Sequence, residues 1–74
     1  MTKKLDKHLL KSSNLDWVAY DEEKNQLYVQ FRSNTLYVYD DVPKEVFEEL
    51  LKAGSHGRYF AQKVKWNYKY KRLQ

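Results

Sequence analysis

The residues best placed to do chemistry are the flat aromatics and cations near the C-terminal end. Trp66-Asn67-Tyr68-Lys69-Tyr70-Lys71-Arg72 alternates aromatic with polar or basic side chains, and Lys63 and Lys65 precede it. Single-stranded nucleic acid is held by this combination: cations track phosphates while aromatic rings stack on bases, at about 1–3 kcal/mol per base. The competing reading packs Trp66 and Tyr68 against the fold and leaves the lysines as a solubilising surface. Arg58 lies in Ser55-His56-Gly57-Arg58 at the expected start of a helix, where free N–H groups and a guanidinium attract anions. The plainer reading there is a helix–helix turn capped by Ser55.

Other chemistries are poorly supplied. The chain has no cysteine, so it has no thiol nucleophile, disulfide or thiolate metal site. His8 and His56 stand far apart, and neither has a second ligand three to five residues on. Asp40-Asp41 and Glu48-Glu49 are adjacent pairs whose side chains diverge on a strand end or helix. There is no glycine-rich phosphate loop, and 74 residues leave little room for a walled catalytic cavity. A nonenzymatic binding domain with no metal and no cofactor is therefore expected.

Charge sharpens this expectation. The formal net charge is +4, unevenly spread. Residues 1–11 carry four lysines and Asp6, a net of +3; residues 12–51 are acidic at −6; residues 52–74 carry seven cations and no acid, a net of +7. Such asymmetry points to a polyanionic partner. No apolar run approaches the roughly 20 residues of a membrane helix, and 1–10 lacks the apolar centre of a signal peptide. A cysteine-free chain suits a reducing compartment, so a cytoplasmic location is expected.

The elements that must position these residues follow from periodicity. Residues 1–11 form a basic segment with Leu5, Leu9 and Leu10 at helical spacing, read as a frayed terminus or a short docking helix. Residues 12–74 form one domain. Leu15–Tyr20 is β-prone, and Gln26–Arg32 alternates with Leu27, Val29 and Phe31 on one face and Tyr28, Gln30 and Arg32 on the other. With Ser33-Asn34 as a two-residue turn, Thr35–Asp40 places Leu36 and Val38 on the core face. Tyr37 and Tyr39 then share the outer face with Tyr28 and Arg32, forming a tyrosine platform able to stack bases. The period changes at Val42-Pro43, predicting a helix with Asp41 as cap, an apolar face of Val46, Phe47, Leu50 and Leu51, and Gly54 ending it in the left-handed conformation. Ser55 caps a second helix running to about Val64. The expected fold is α+β, a three-stranded antiparallel meander with two short helices packed on one face, followed by an edge strand or extended tail.

The order of Ser12-Ser13-Asn14-Leu15, Tyr20-Asp21, Leu27–Phe31, Tyr37-Val38-Tyr39, Asp41-Val42-Pro43, Leu50-Leu51 and Ser55-His56-Gly57-Arg58-Tyr59-Phe60 resembles the KTSC domain family. That family is named for the C-terminus of some lysyl-tRNA synthetases. The similarity spans about Ser12 to Arg72. Asn34 stands where glycine is usual, and Ala61 where Asn is common. The resemblance implies the fold, and its association with a tRNA-charging enzyme implies RNA as partner. The expected interface thus comprises Arg32, Tyr37, Tyr39, Arg58, Lys63, Lys65, Trp66, Lys69, Tyr70, Lys71 and Arg72, binding RNA or another single strand. The alternative is a protein-interaction module using the acidic helix face or an edge strand.

Overall fold

The computed structural model describes residues 5–74. Its elements run β1 (His8–Leu9), β2 (Leu15–Asp21), β3 (Gln26–Phe31), β4 (Leu36–Tyr39), α1 (Lys44–Lys52), α2 (His56–Lys63) and β5 (Tyr70–Arg72). The strands form one antiparallel sheet in the order β1-β2-β3-β4-β5. The expected α+β class and central meander are present, but the sheet has five strands, not three. β1 is two residues long and has no local strand pattern; pairing with β2 creates it, His8 opposite Val18 and Leu9 opposite Trp17. The N-terminal segment is accordingly neither frayed nor helical from His8 onward, and Leu10 is buried in the core.

Two local irregularities decide which side chains face the helices. Asp16 is an extra residue in β2, a bulge between the Leu15–Phe31 and Trp17–Gln30 pairs. It lets Leu15 share the core face with Val18 and Tyr20 although simple alternation would place it with Trp17. The second irregularity corrects the expected faces of β4. The β3–β4 loop has three residues, Arg32 to Asn34: the Phe31 N–H donates to the Thr35 carbonyl at 2.8 Å, and the Asn34 N–H to the Phe31 carbonyl at 3.0 Å. Asn34 is left-handed at φ 68°, as this loop type requires at its last residue. Relative to a two-residue turn the register moves by one, which turns every side chain of the strand over. Val29 now pairs with Tyr37 and Leu27 with Tyr39. The tyrosines therefore lie on the core face, and Leu36 and Val38 lie on the opposite face with Tyr28 and Gln30.

Both helices cover the tyrosine-bearing face. Phe47 of α1 stacks on Tyr20 at 5.1 Å and meets His8 edge-on at 5.4 Å. Phe60 of α2 meets Phe31 and Tyr39 edge-on, each at 5.5 Å. Leu15, Val18, Leu27, Val29, Tyr39, Val42, Leu50 and Val64 are fully buried between the layers. Asp41 does not cap α1; it takes a left-handed φ of 57° in the link from β4, and Pro43 occupies the cap position without a side-chain bond. The Tyr20 hydroxyl ties this link down by donating to the Val42 carbonyl. α1 ends on extended Ala53, so Gly54 is not left-handed. Ser55 does cap α2, its hydroxyl accepting from the Arg58 N–H at 3.3 Å. The Asn67 carboxamide closes the other end by donating to the Lys63 carbonyl at 2.9 Å.

Candidate nucleic-acid interface

β5 brings the aromatic-basic end alongside β4. Tyr70 pairs with Tyr39, Lys71 with Val38 and Arg72 with Tyr37. Cross-strand partners point to the same side of a sheet, so Tyr70 and Arg72 join Tyr37 on the helix side and Lys71 points to the other. Tyr37 and Tyr70 stack nearly parallel, 14° apart with centroids at 5.4 Å. Tyr37 is half-buried and also meets Phe31 edge-on at 5.4 Å. Tyr70 is 53% exposed, so one side of the stack is open.

The predicted residues thus separate into three groups. Tyr37, Tyr70 and Arg72 are together at the β4–β5 edge. Lys65 follows α2 and lines cavities floored by Phe31 and Phe60; its ammonium lies 5.1 Å above the Trp66 ring, which is 80% exposed. Lys63 and Lys69 are exposed at the two ends of the α2–β5 connection. Tyr68 in that connection packs against the core, whereas Trp66 does not.

Besides Tyr37, now half-buried on the core face, three predicted residues are placed differently from expectation. Tyr39 is 2% exposed and belongs to the core. Its burial pushes the phenol pKa up to about 12, helped by the neighbouring phenols of Tyr37 and Tyr70. Arg32 is in the loop rather than on a sheet face. Its Nε donates to the Ser12 carbonyl at 2.6 Å, Nη2 reaches the Leu10 carbonyl at 3.3 Å, and Asp16 lies 3.7 Å away. It clamps the N-terminal segment. Lys71 is on the far side of the sheet. Arg58 stays exposed in the first turn of α2 rather than at the β4–β5 edge.

A groove was missed by pattern reading. Two adjoining cavities of about 380 and 240 Å³ share Phe31, Ser33, Phe60 and Lys65. The larger is completed by Ser13, Asn14 and the Gly57–Ala61 stripe of α2; the smaller opens toward Tyr37. Ser13 and Asn14, with Gly57 and Phe60, come from two of the segments that carry the family resemblance, so their joint location was the available signal. No carboxylate lines either cavity. Lys44 pairs with Glu22 at 2.7 Å, and Val42 bonds Asn25, which places the start of α1 beside the β2–β3 loop. That acidic end lies about 20 Å from the groove along β3, at ~3.4 Å per residue, beyond the roughly 8–10 Å screening length.

The architecture defines a small α+β domain: one antiparallel sheet, one helical layer, and an aromatic-basic edge where the last strand docks. The chain belongs to the KTSC domain family, whose model matches residues 11–68. It is 46% identical over 65 residues to an uncharacterised protein of Stutzerimonas stutzeri, covering 86% of this chain and 92% of that one. It is 38% identical over 50 residues to a protein of Tsukamurella paurometabola, covering 68% and 75%. The crystal structure of a KTSC domain protein from Yersinia pestis superposes with a TM-score of 0.91 at 25% identity, covering 96% of this chain and all of that one. No helix among the described residues is long and apolar enough to cross a membrane.

Proposed function

We propose that this chain is a nonenzymatic domain that binds single-stranded nucleic acid, RNA first among them, along the β4–β5 edge. The observation that carries this reading is the Tyr37–Tyr70 stack, open on one side, with Arg72 paired to Tyr37 and Lys65 at the adjoining groove. A base laid on Tyr70 extends an existing stack, and the flanking cations meet its phosphates. Trp66, exposed beneath the Lys65 ammonium, offers a second ring. No carboxylate lines the adjoining cavities, which favours a polyanion there.

The salt dependence of binding to a labelled oligoribonucleotide tests this. Contact through Lys63, Lys65 and Arg72 gives a log–log slope of about −2, at ~0.7 per phosphate on a single strand. No binding at low salt refutes the proposal.

The uncovered sheet face supports a second reading, a protein-interaction surface. Tyr28 stands there between Ala19 and Val38, beside Trp17 and Leu36, and Leu9 next to Trp17 is 80% exposed. Binding that resists salt and is lost on Leu9→Ser favours this reading over the first.

A further inference from the structure

We infer that the groove between α2 and the β3–β4 loop is a pocket for a single nucleobase with an attached phosphate. The inference rests on the nucleic-acid reading for one of its two possible sources, a base turned out of a bound strand; the other source is a free nucleotide.

Size, lining and position agree on this ligand. The larger cavity, about 380 Å³, is at the small end of the roughly 300–1,000 Å³ range of small-molecule sites. It suits one nucleotide rather than a peptide or an oligosaccharide. Its floor is the Phe31–Phe60 pair, rings edge to face at 76° and 5.5 Å, an apolar surface against which a planar ligand can pack. Its rim is rich in hydrogen-bonding groups at Ser13, Asn14 and Ser33, while the Arg32 that also lines it is committed to the Ser12 and Leu10 carbonyls and to Asp16. The Asn14 carboxamide carries two donors and an acceptor, and neither it nor the Ser13 hydroxyl has an intramolecular partner among the described residues. Uncommitted amide and hydroxyl groups above an aromatic floor are the means by which unstacked bases are read on their edges. The only charge lining either cavity besides Arg32 is Lys65, with no ion-pair partner among the described residues, so the anionic group belongs at that end. The smaller cavity leads from Lys65 to Tyr37, hence to Tyr70. A strand stacked on the β4–β5 edge therefore has a continuous route by which its next base reaches the pocket.

An expanded role for α2 follows. Gly57 and Ala61 are the small residues of its groove-facing stripe, and a Cβ on Gly57 would stand 3.4 Å from Ser12 Oγ. Side chains any larger would occupy the space assigned to the base.

The test is an amide-shift titration of isotope-labelled protein with each of the four ribonucleoside monophosphates and each of four short homo-oligoribonucleotides. One base should shift the amides of Asn14, Ser33 and Ala61 more than the other three do. Ala61→Leu should abolish those shifts while leaving the shifts of Tyr70–Arg72 by oligonucleotide intact. Ala61 is exposed and leucine is nearly as good a helix former, so this variant should fold. Asn14→Ala, a second variant, should lower the ratio between best and worst oligonucleotide by about fivefold or more, the discrimination of one bidentate amide contact. Selective shifts with oligonucleotide alone assign the pocket to a strand base. Selective shifts with monophosphate alone support the pocket and refute strand binding. Shifts confined to Tyr70–Arg72, or equal for all four bases, overturn the pocket and leave strand binding standing. No shifts with any probe overturn both.

Discussion

Asn34 decides which face the tyrosines occupy, and its replacement measures how firmly. Its backbone is left-handed at φ 68°, and its Oδ1 accepts from Gln30 Nε2 at 3.3 Å. A left-handed conformation costs most L-residues about 1–2 kcal/mol, and Asn less because its side chain bonds locally. The long hydrogen bond adds about 0.5 kcal/mol. Asn34→Ala should therefore destabilise by about 1–2 kcal/mol. Asn34→Gly loses only the hydrogen bond and regains conformational freedom at φ > 0, so it should lie within about 0.5 kcal/mol of the parent. For a domain whose total stability is about 4–11 kcal/mol, the alanine variant should melt about 10 °C lower, at ~4–8 °C per kcal/mol. Urea unfolding with matched slopes reads both values. If Asn34→Ala is as stable as Asn34→Gly, the left-handed conformation at Asn34 does not hold the three-residue loop and the edge described above is wrongly assembled.

Other consequences are as direct. Tyr70→Ala should weaken oligonucleotide binding by about 5- to 150-fold without changing its salt slope, because it removes stacking worth about 1–3 kcal/mol and no charge; Arg72→Gln should flatten the slope by about 0.7. Tyr39 has a folded-state pKa of about 12 against 10.0 for the free side chain. The unfolded chain thus releases this proton first, and the contribution of Tyr39 to stability is complete below pH 10 and lost as pH rises through about 12. Tyrosinate absorbance should show this phenol ionising together with loss of the fold. Tyr20→Phe should cost about 1–2 kcal/mol in urea unfolding, by removing the donor to the Val42 carbonyl. Gly57→Ala should stabilise α2 by about 0.5 kcal/mol and narrow the groove, so stability and base selectivity should move in opposite directions.

Much of this was legible in the residues because local rules governed it. Alternation in Gln26–Phe31 marked β3, Ser55 marked the start of α2, and the apolar spacing of Phe47 and Leu50 marked the buried face of α1. The failures are non-local. β1 exists only because β2 offers it a partner, so nothing in His8-Leu9 announces a strand. The face of β4 depended on one residue of loop length, which Ser33-Asn34 does not disclose. Arg32 looked free because its acceptors, the carbonyls of Leu10 and Ser12, lie twenty or more residues away in sequence. Tyr70 and Arg72 were recognised by type, but their neighbours could be named only once the strand register was known.

The sheet order has a temporal meaning. Four strands are neighbours in sequence as well as in space and can zip from local hairpins, whereas β5 reaches β4 only after both helices are in place. Closing that roughly thirty-residue loop costs more entropy than any of the turns, so the β4–β5 pairing forms after the meander it docks on. Tyr37 and Tyr70 stand on opposite sides of that seam. A strand stacked across both would hold the latest-docking piece in place, and hydrogen exchange at Tyr70–Arg72 should slow on binding before any other amides respond.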